Sequence, residues 1–246
     1  MGPDDSRDAN GSLVRVVASV ERESYIRAMT NDFSQGKGAR AAPNWKVLGA
    51  VPGSPWHRKP AEAFADGIGF AFSTTPTDTK LFLMDHRGSD LLGDLTGKTL
   101  TARFTITGTA TAFTYFGEGN PENDGRCGTP APASVRLYFE GNTTSEKLHQ
   151  WWSNQAHALT SLVGTALTLT VPLDTANWSD KVVPQGSDKP VPRPASDVPT
   201  DFADAVATVG TVGLSYGGGC IMFAFAGGVG SADGTASFVL NSYSVS

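Results

Sequence analysis

The chain has 246 residues, 39% of them hydrophobic and 17% charged, which is enough apolar material for one large core. Its net charge of −5 and the lack of any basic run argue against a phosphate-tracking nucleic-acid surface. No stretch approaches the roughly 20 apolar residues that span a bilayer.

The first 30 residues read as an N-terminal extension. MGPDDSRDANGSLVRVVASV does not look like a leader, because its apolar part is short, is interrupted by Arg15 and follows acids rather than bases. The protein is then cytoplasmic or, if a leader has been removed, extracellular or periplasmic. Within 13–33 the β-branched, alternating VRVVASV predicts a strand and ERESYIRAM a two-turn helix.

From residue 31 onward the pattern is that of strands. GIGFAFS at 67–73 and KLFLMD at 80–85 are short apolar runs, and KTLTARFTIT alternates strictly, with Leu100, Ala102, Phe104 and Ile106 on one face. The same period places Val135, Leu137 and Phe139 together, then Leu167, Leu169 and Val171, then Ile221, Phe223 and Phe225. TAFTYFG at 111–117, TVGLSY at 211–216 and ASFVLNSYSV at 236–245 bring the expectation to about nine strands. The stretch 179–200 holds five prolines and no periodicity, and reads as a long surface loop. One short helix is expected from Asp201 to about Ala207, with Thr200 as its cap. Strands at regular spacing without long alternating helices predict an all-β fold. The expected architecture is an antiparallel β-sandwich of jelly-roll type, with one or two short helices and a single domain over 31–246.

Two cysteines, Cys127 and Cys220, lie 93 residues apart in glycine-rich turns. A disulfide between them would stabilise the fold by roughly 4 to 5 kcal/mol on the chain-entropy model and would favour an oxidising compartment. Two separate thiols are the alternative.

Several groups carry candidate chemistry. Glu118, Glu122 and Asp124 gather three carboxylates in one loop, a set of hard oxygen ligands that suits calcium, or else a solvated acidic turn. Asp85, His86 and Arg87 end an apolar strand, where a general acid or base could sit at a cavity rim. Glu118, Glu140, Asp85 and Glu122 are the acids available for a glycosidase-type pair. GLSYG at 213–217 matches a nucleophile elbow, but another strand follows it and no histidine lies beyond His157. Trp151 and Trp152 are adjacent, so they point to opposite faces of a strand and at most one is expected in the core. The other, with Asn154 and Trp178 or Trp56, would offer a flat ring to a sugar and polar groups to its hydroxyls.

Asn31, Asp32, Phe33, Gly36 and Trp45, in NDFSQGKGARAAPNWKVLG, resemble the opening of galactose-binding-like jelly-roll modules. GVGSADGTASFVLNSYSV resembles their closing strand, and the segment between is similar to uncharacterised secreted bacterial proteins. The resemblance implies a sandwich whose last strand pairs back near the first. It also implies a structural calcium held near those strands, with Asp32 and Asp233 as further ligands.

The function these features favour is a non-catalytic, extracellular, carbohydrate-binding sandwich, with a carbohydrate or small molecule as partner. The alternative is an enzyme on the same scaffold. That would be a carbohydrate hydrolase or lyase, or a cyclase or isomerase working in a cavity lined by Phe70, Phe72, Phe82, Phe113 and Phe116.

Overall fold

A computed structural model describes residues 29–33, 37–50, 57–74, 80–115, 132–142, 149–182, 185–186, 191–218 and 228–246. The first strands are β1 (Met29–Asp32), β2 (Trp45–Ala50), β3 (His57–Pro60), β4 (Glu62–Phe64), β5 (Gly67–Ala71) and β6 (Lys80–His86). Next come β7 (Thr99–Gly108), β8 (Phe113–Tyr115), β9 (Ser134–Gly141), β10 (His149–Ser153), β11 (His157–Ala158) and β12 (Ala166–Pro172). The last are β13 (Trp178–Val182), β14 (Val191–Pro194), β15 (Val209–Gly217), β16 (Val229–Ser231) and β17 (Ala236–Val245). Two short helices, α1 (Gly38–Ala41) and α2 (Pro199–Ala207), decorate the strands.

The strands form two antiparallel sheets that make a β-sandwich. The smaller runs β12-β7-β17-β5-β4, with β1 added to β17. The larger runs β14-β13-β10-β9-β15-β6-β16-β8, with β11 on β9, β2 on β6 and β3 on β2. As the alternation predicts, Leu100, Ala102, Phe104 and Ile106 are buried, and so are Val135, Leu137 and Phe139. Leu169 and Val171 join them, while Leu167 packs at the margin of the core. From β17 the core receives Phe238, Leu240, Tyr243 and Val245. This set changes parity because a bulge between Leu240 and Ser242 adds one residue. Gly69 makes the sheet possible beside that strand, since a Cβ there would lie 1.8 Å from the Phe238 carbonyl oxygen.

Four expectations need revision. The described residues hold more strands than nine, because β3, β4, β8, β11 and β16 are only two to four residues long. Such pieces are too short to show a period. The proline-rich stretch 179–200 is not one open loop, because β13 and β14 pair with Lys181 opposite Pro192 and Ser179 opposite Pro194. Proline is tolerated there because β14 is a terminal strand of its sheet, where a missing N–H can face away from the ladder. Helix α2 begins at Pro199, so Thr200 lies inside the first turn and Val198 precedes the helix without a side-chain cap. Proline suits that first position because its absent N–H would have no helical partner. Met29 and Thr30, expected in a helix and the extension, are instead paired to Val245 and Ser244.

Of the residues that carried the galactose-binding-like resemblance, Asn31, Phe33 and Trp45 form a brace between β1, β2 and β6, and Gly36 lies outside the described residues. Trp45 Nε1 donates to Asn31 Oδ1 at 3.3 Å, and Phe33 meets the Trp45 ring edge-on at 5.8 Å. Asn31 Nδ2 donates in turn to Asp90 at 2.8 Å. The last strand does pair back to the first.

Candidate functional site

Alternation along the larger sheet assigns each polar residue to a face. Across the register Lys46 opposes Asp85, Asp85 opposes Gly213, Gly213 opposes Tyr138, Tyr138 opposes Trp152 and Trp152 opposes Ser179. A second row runs Arg58, Leu48, Leu83, Ser215 and Arg136. A third holds Thr211, Glu140 and Gln150. All these side chains lie on the outer face, opposite the Trp45, Met84, Val212, Phe139 and Trp151 of the sandwich core.

Part of this outer face is apolar. Phe82, Leu83, Tyr138 and Trp152 form a small buried cluster separate from the main core, with Leu48 against it. Phe82 is available because the register slips between Leu48 and Gly49, leaving it as the extra residue between Leu81 and Leu83. The expectation that at most one of Trp151 and Trp152 is buried is therefore corrected. They do face opposite sides, but each side has its own apolar cluster, and both rings are under 10% exposed.

Beside the cluster lies a network of ionic and polar groups. Arg58 pairs with Asp85, and Arg87 bridges the two acids, with Nε 3.4 Å from Asp85 Oδ2 and Nη2 3.2 Å from Glu140 Oε2. Glu140 also accepts from Tyr138 OH, from Gln150 Nε2 at 2.9 Å and from Thr211 Oγ1 at 3.1 Å. Lys181 Nζ stands 5.8 Å from the centre of the Trp152 ring. Asp85 is 0% exposed, whereas the side chains of Arg58 and Arg87 are 31% and 49% exposed. The guanidinium groups reach solvent and the carboxylates lie beneath them.

The two acids differ electrostatically. Burial raises the Asp85 carboxyl above its usual range, outweighing the charges of Arg58 and Arg87. Burial also acts on Glu140, but there the bonds from Tyr138 and Gln150, the charge of Arg87 and the bond from Thr211 prevail, and its carboxyl is lowered. Burial lowers the Lys181 ammonium, against the pull of Glu140. Asp85 Oδ1 and Arg136 Nε are both buried and have no hydrogen-bond partner among the described residues.

Gly213 forms the floor between Asp85 and Tyr138. A Cβ there would meet the Met84 carbonyl oxygen at 2.2 Å and Asp85 Cα at 2.8 Å, both main-chain atoms that cannot move alone. Gly213→Ala is expected to push β15 away from β6 and to cost about 2 kcal/mol, read as a lower midpoint in urea unfolding. An unchanged midpoint would mean that the two strands are not in this register.

The other sequence candidates fall elsewhere. Alternation splits the Asp85–His86–Arg87 triplet: His86 turns into the core against Trp45, with ring centres 5.2 Å apart, and its Nε2 lies 2.7 Å from Asp90 Oδ1. It cannot act with Asp85. Trp151 and Trp178 are fully buried, and Trp178 Nε1 donates to the Pro172 carbonyl at 2.8 Å. Asn154 is exposed and ties the Ala176 carbonyl to Ser179 Oγ. These three do not build an open aromatic platform. Ser215 lies within β15, two residues before its end, under Trp152 Nε1 at 3.2 Å, and not at a strand-to-helix turn. Phe70, Phe72 and Phe113 pack ring on ring at 5.0 and 5.1 Å as core.

Cys127, Cys220, Glu118, Glu122, Asp124, Trp56 and Phe116 lie outside the described residues. Among the described residues no group of three or more metal-ligating side chains occurs. Asp32 and Asp233 do not meet, because Asp32 pairs opposite Ser242 while Asp233 precedes the start of β17, roughly 20 Å away along the strand. Asp233 instead accepts from the Thr111 and Ala112 amides at 2.8 Å.

A shallow cavity of about 220 Å³ lies on the outer face of the smaller sheet, lined by Phe64, Asp66, Thr105, Thr107, Val239 and Asn241. Asn241 is already committed there, accepting from Thr105 Oγ1 and donating to the Asp66 carbonyl.

Sequence reading missed Arg58, Tyr138, Gln150, Thr211 and Lys181. One signal was present, since the period that puts Val135, Leu137 and Phe139 in the core also puts Arg136, Tyr138 and Glu140 together on the other face.

The fold is an all-β antiparallel sandwich with a built polar cluster on the outer face of its larger sheet. No protein-family model and no curated protein matches the chain. Among solved structures, the L4b domain of human laminin alpha-2 is similar at 10% identity, covering 84% of this chain and 94% of that one, with a TM-score of 0.44. A likeness at that level carries no argument about function. Among the described residues no helix is long and apolar enough to cross a membrane.

Proposed function

We propose that the protein is a carbohydrate-binding β-sandwich, working outside the cell where glycans lie, and that its ligand lies across the outer face of the larger sheet. The observation that carries this reading is the buried, unpartnered Asp85 Oδ1 in a face that otherwise satisfies its acids closely. A carboxylate oxygen held from water without a donor is costly, and a ligand hydroxyl would supply one. Gln150 and Thr211 hold the neighbouring Glu140 carboxylate in place, and the buried Tyr138 and Trp152 form an apolar floor beneath this face.

Affinity electrophoresis against a panel of polysaccharides tests this. The wild type should be retarded by at least one glycan, and Asp85→Asn, which keeps the shape and removes the charge, should weaken that retardation about tenfold. A wild type that migrates unchanged through every glycan sinks the reading.

Catalysis at the same place is a second reading, favoured by two carboxyls displaced in opposite directions beside one arginine. Such a pair can divide into a proton donor and an acceptor. Product masses after incubation decide between the two, since new masses that vanish in both Asp85→Asn and Glu140→Gln would make this an enzyme.

A further inference from the structure

The shallow cavity on the smaller sheet exists because β5 brings almost no side chains to the outer face. Ile68 and Phe70 are buried in the core, so alternation sends Gly67, Gly69 and Ala71 outward. A trough is left along β5, with β4 on one side and β17 and β7 on the other. A Cβ at Gly67 would meet Val239 Cγ1 at 2.6 Å and the Leu240 carbonyl oxygen at 2.4 Å, so a side chain there would crowd the floor that Val239 forms.

The walls of the trough carry chemistry. Phe64 ends β4, the terminal strand of the sheet, and a turn through Ala65 and Asp66 returns the chain so that Phe64 stands opposite Gly67. Among the described residues Phe64 is the single Phe, Tyr or Trp that is not buried. The opposite wall presents Thr105 and Thr107. Asn241 is the extra residue of the bulge in β17, and the bulge aims its amide at the cavity. The bonds of that amide to Thr105 Oγ1 and to the Asp66 carbonyl fix its orientation and pin the turn, and they leave its second N–H and second lone pair free. The Asp66 carboxylate and the Thr107 hydroxyl have no partner among the described residues.

We propose that this cavity binds a single neutral sugar unit, the terminal unit of a glycan. It shares the ligand class of the reading above but neither its residues nor its face, so each can fail alone. Its volume of about 220 Å³ lies below the roughly 300 Å³ at which pockets for drug-sized ligands begin, which suits one pyranose ring and not an oligosaccharide. A pyranose offers a face of C–H groups, which packs on the Phe64 ring, and a rim of hydroxyls that both donate and accept. Asp66 can only accept, whereas the Asn241 amide and the Thr107 hydroxyl do both, and sugar hydroxyls match that mixture. No cation lines the cavity, and Asp66 would repel an acidic sugar. A simple cation would answer Asp66 and Phe64 but bring nothing to the amide and the hydroxyls.

The test is titration of the intact, isotope-labelled protein with the methyl glycosides of glucose, galactose and mannose, with a methyl uronate and tetramethylammonium as controls, read by amide NMR. At least one neutral glycoside should shift the Asn241 side-chain amide and the Thr107 backbone amide saturably, and the controls should not. Phe64→Ala should weaken that binding about tenfold, and Thr107→Val, which keeps a strand-favouring shape, about threefold. Thr168→Val, the same change on the same face but outside the cavity, should leave it unchanged. Silence at Asn241 and Thr107 with every neutral glycoside overturns the site. So does an equal response to the uronate or to tetramethylammonium, or full affinity in both the Phe64 and the Thr107 variants. A silent cavity beside glycoside-induced shifts of the Gln150 side chain removes this site and leaves the larger-sheet reading standing, whereas shifts at Asn241 alone do the reverse.

Discussion

Phe238→Ala is expected to lower the unfolding free energy by about 4 kcal/mol, with a fall of about 10 °C in melting temperature. Phe238 is 0% exposed and sits on β17, the strand that carries β7 and β5 on its two sides. Its ring lies 4.7 Å from that of Phe104, 5.5 Å from Phe70 and 5.2 Å from Tyr216. Phe104 and Phe70 belong to the smaller sheet and Tyr216 to the larger, so this one ring joins the two layers. Truncation loses the transfer energy of the ring and leaves a hole that three rigid neighbours cannot close. Urea unfolding of the variant is the check, and a loss under about 1 kcal/mol would mean that the sheets do not meet at this point.

The same contact shows why the fold was legible in the sequence and the site largely was not. Phe104 and Phe238 lie in long strands, Thr99–Gly108 and Ala236–Val245, where a period of two runs along the first and on either side of the bulge in the second. The pattern repeats one physical requirement, a buried face, and so can be read locally. The site has no such repetition. Asp85 and Glu140 are 55 positions apart, and β15 must be inserted between their strands before Arg87 can bridge them. Arg58 reaches Asp85 only because β3 folds over β2 at the end of the sheet.

Local reading also erred where a rule met a second constraint. The alternation of Trp151 and Trp152 was sound, yet it could not disclose that Phe82, Leu83 and Tyr138 cover the outer ring. The triplet Asp85–His86–Arg87 looked like a unit because its members are adjacent, and adjacency in a strand is what separates side chains. His86 belongs with Trp45 and Asp90 in the brace of the first strand, not with the acids. Pro192 and Pro194 disguised a paired strand as a loop, since a terminal strand can carry prolines that an interior one cannot.

Glu140→Gln should destabilise the protein by about 3 kcal/mol at neutral pH, while Asp85→Asn, a chemically equivalent change a few ångströms away, should stabilise it by about 1 kcal/mol. The difference comes from what each carboxylate leaves behind. Glu140 accepts from Tyr138, Gln150, Thr211 and Arg87, and an amide nitrogen in place of one oxygen points a donor at donors. Asp85 has one oxygen unpartnered, and its arginines are exposed enough to rehydrate when it is neutralised. Their pH dependence has opposite sign. Glu140, lowered in the fold, contributes stability that is complete above the ordinary carboxylate range and is lost as pH falls through its folded value. Asp85, raised in the fold, costs stability above its folded value, and that cost fades as pH falls toward the ordinary range. The deficit of Glu140→Gln should therefore be full at neutral pH and shrink below roughly pH 4, whereas the gain of Asp85→Asn should shrink already on the way down to that pH. Urea midpoints of the three proteins across acid pH measure both. Equal and parallel losses in the two variants would mean that the acids are a symmetric structural pair. Opposite signs would mark Asp85 as a charge that the fold retains at a cost to its own stability, as expected of a group kept for a ligand.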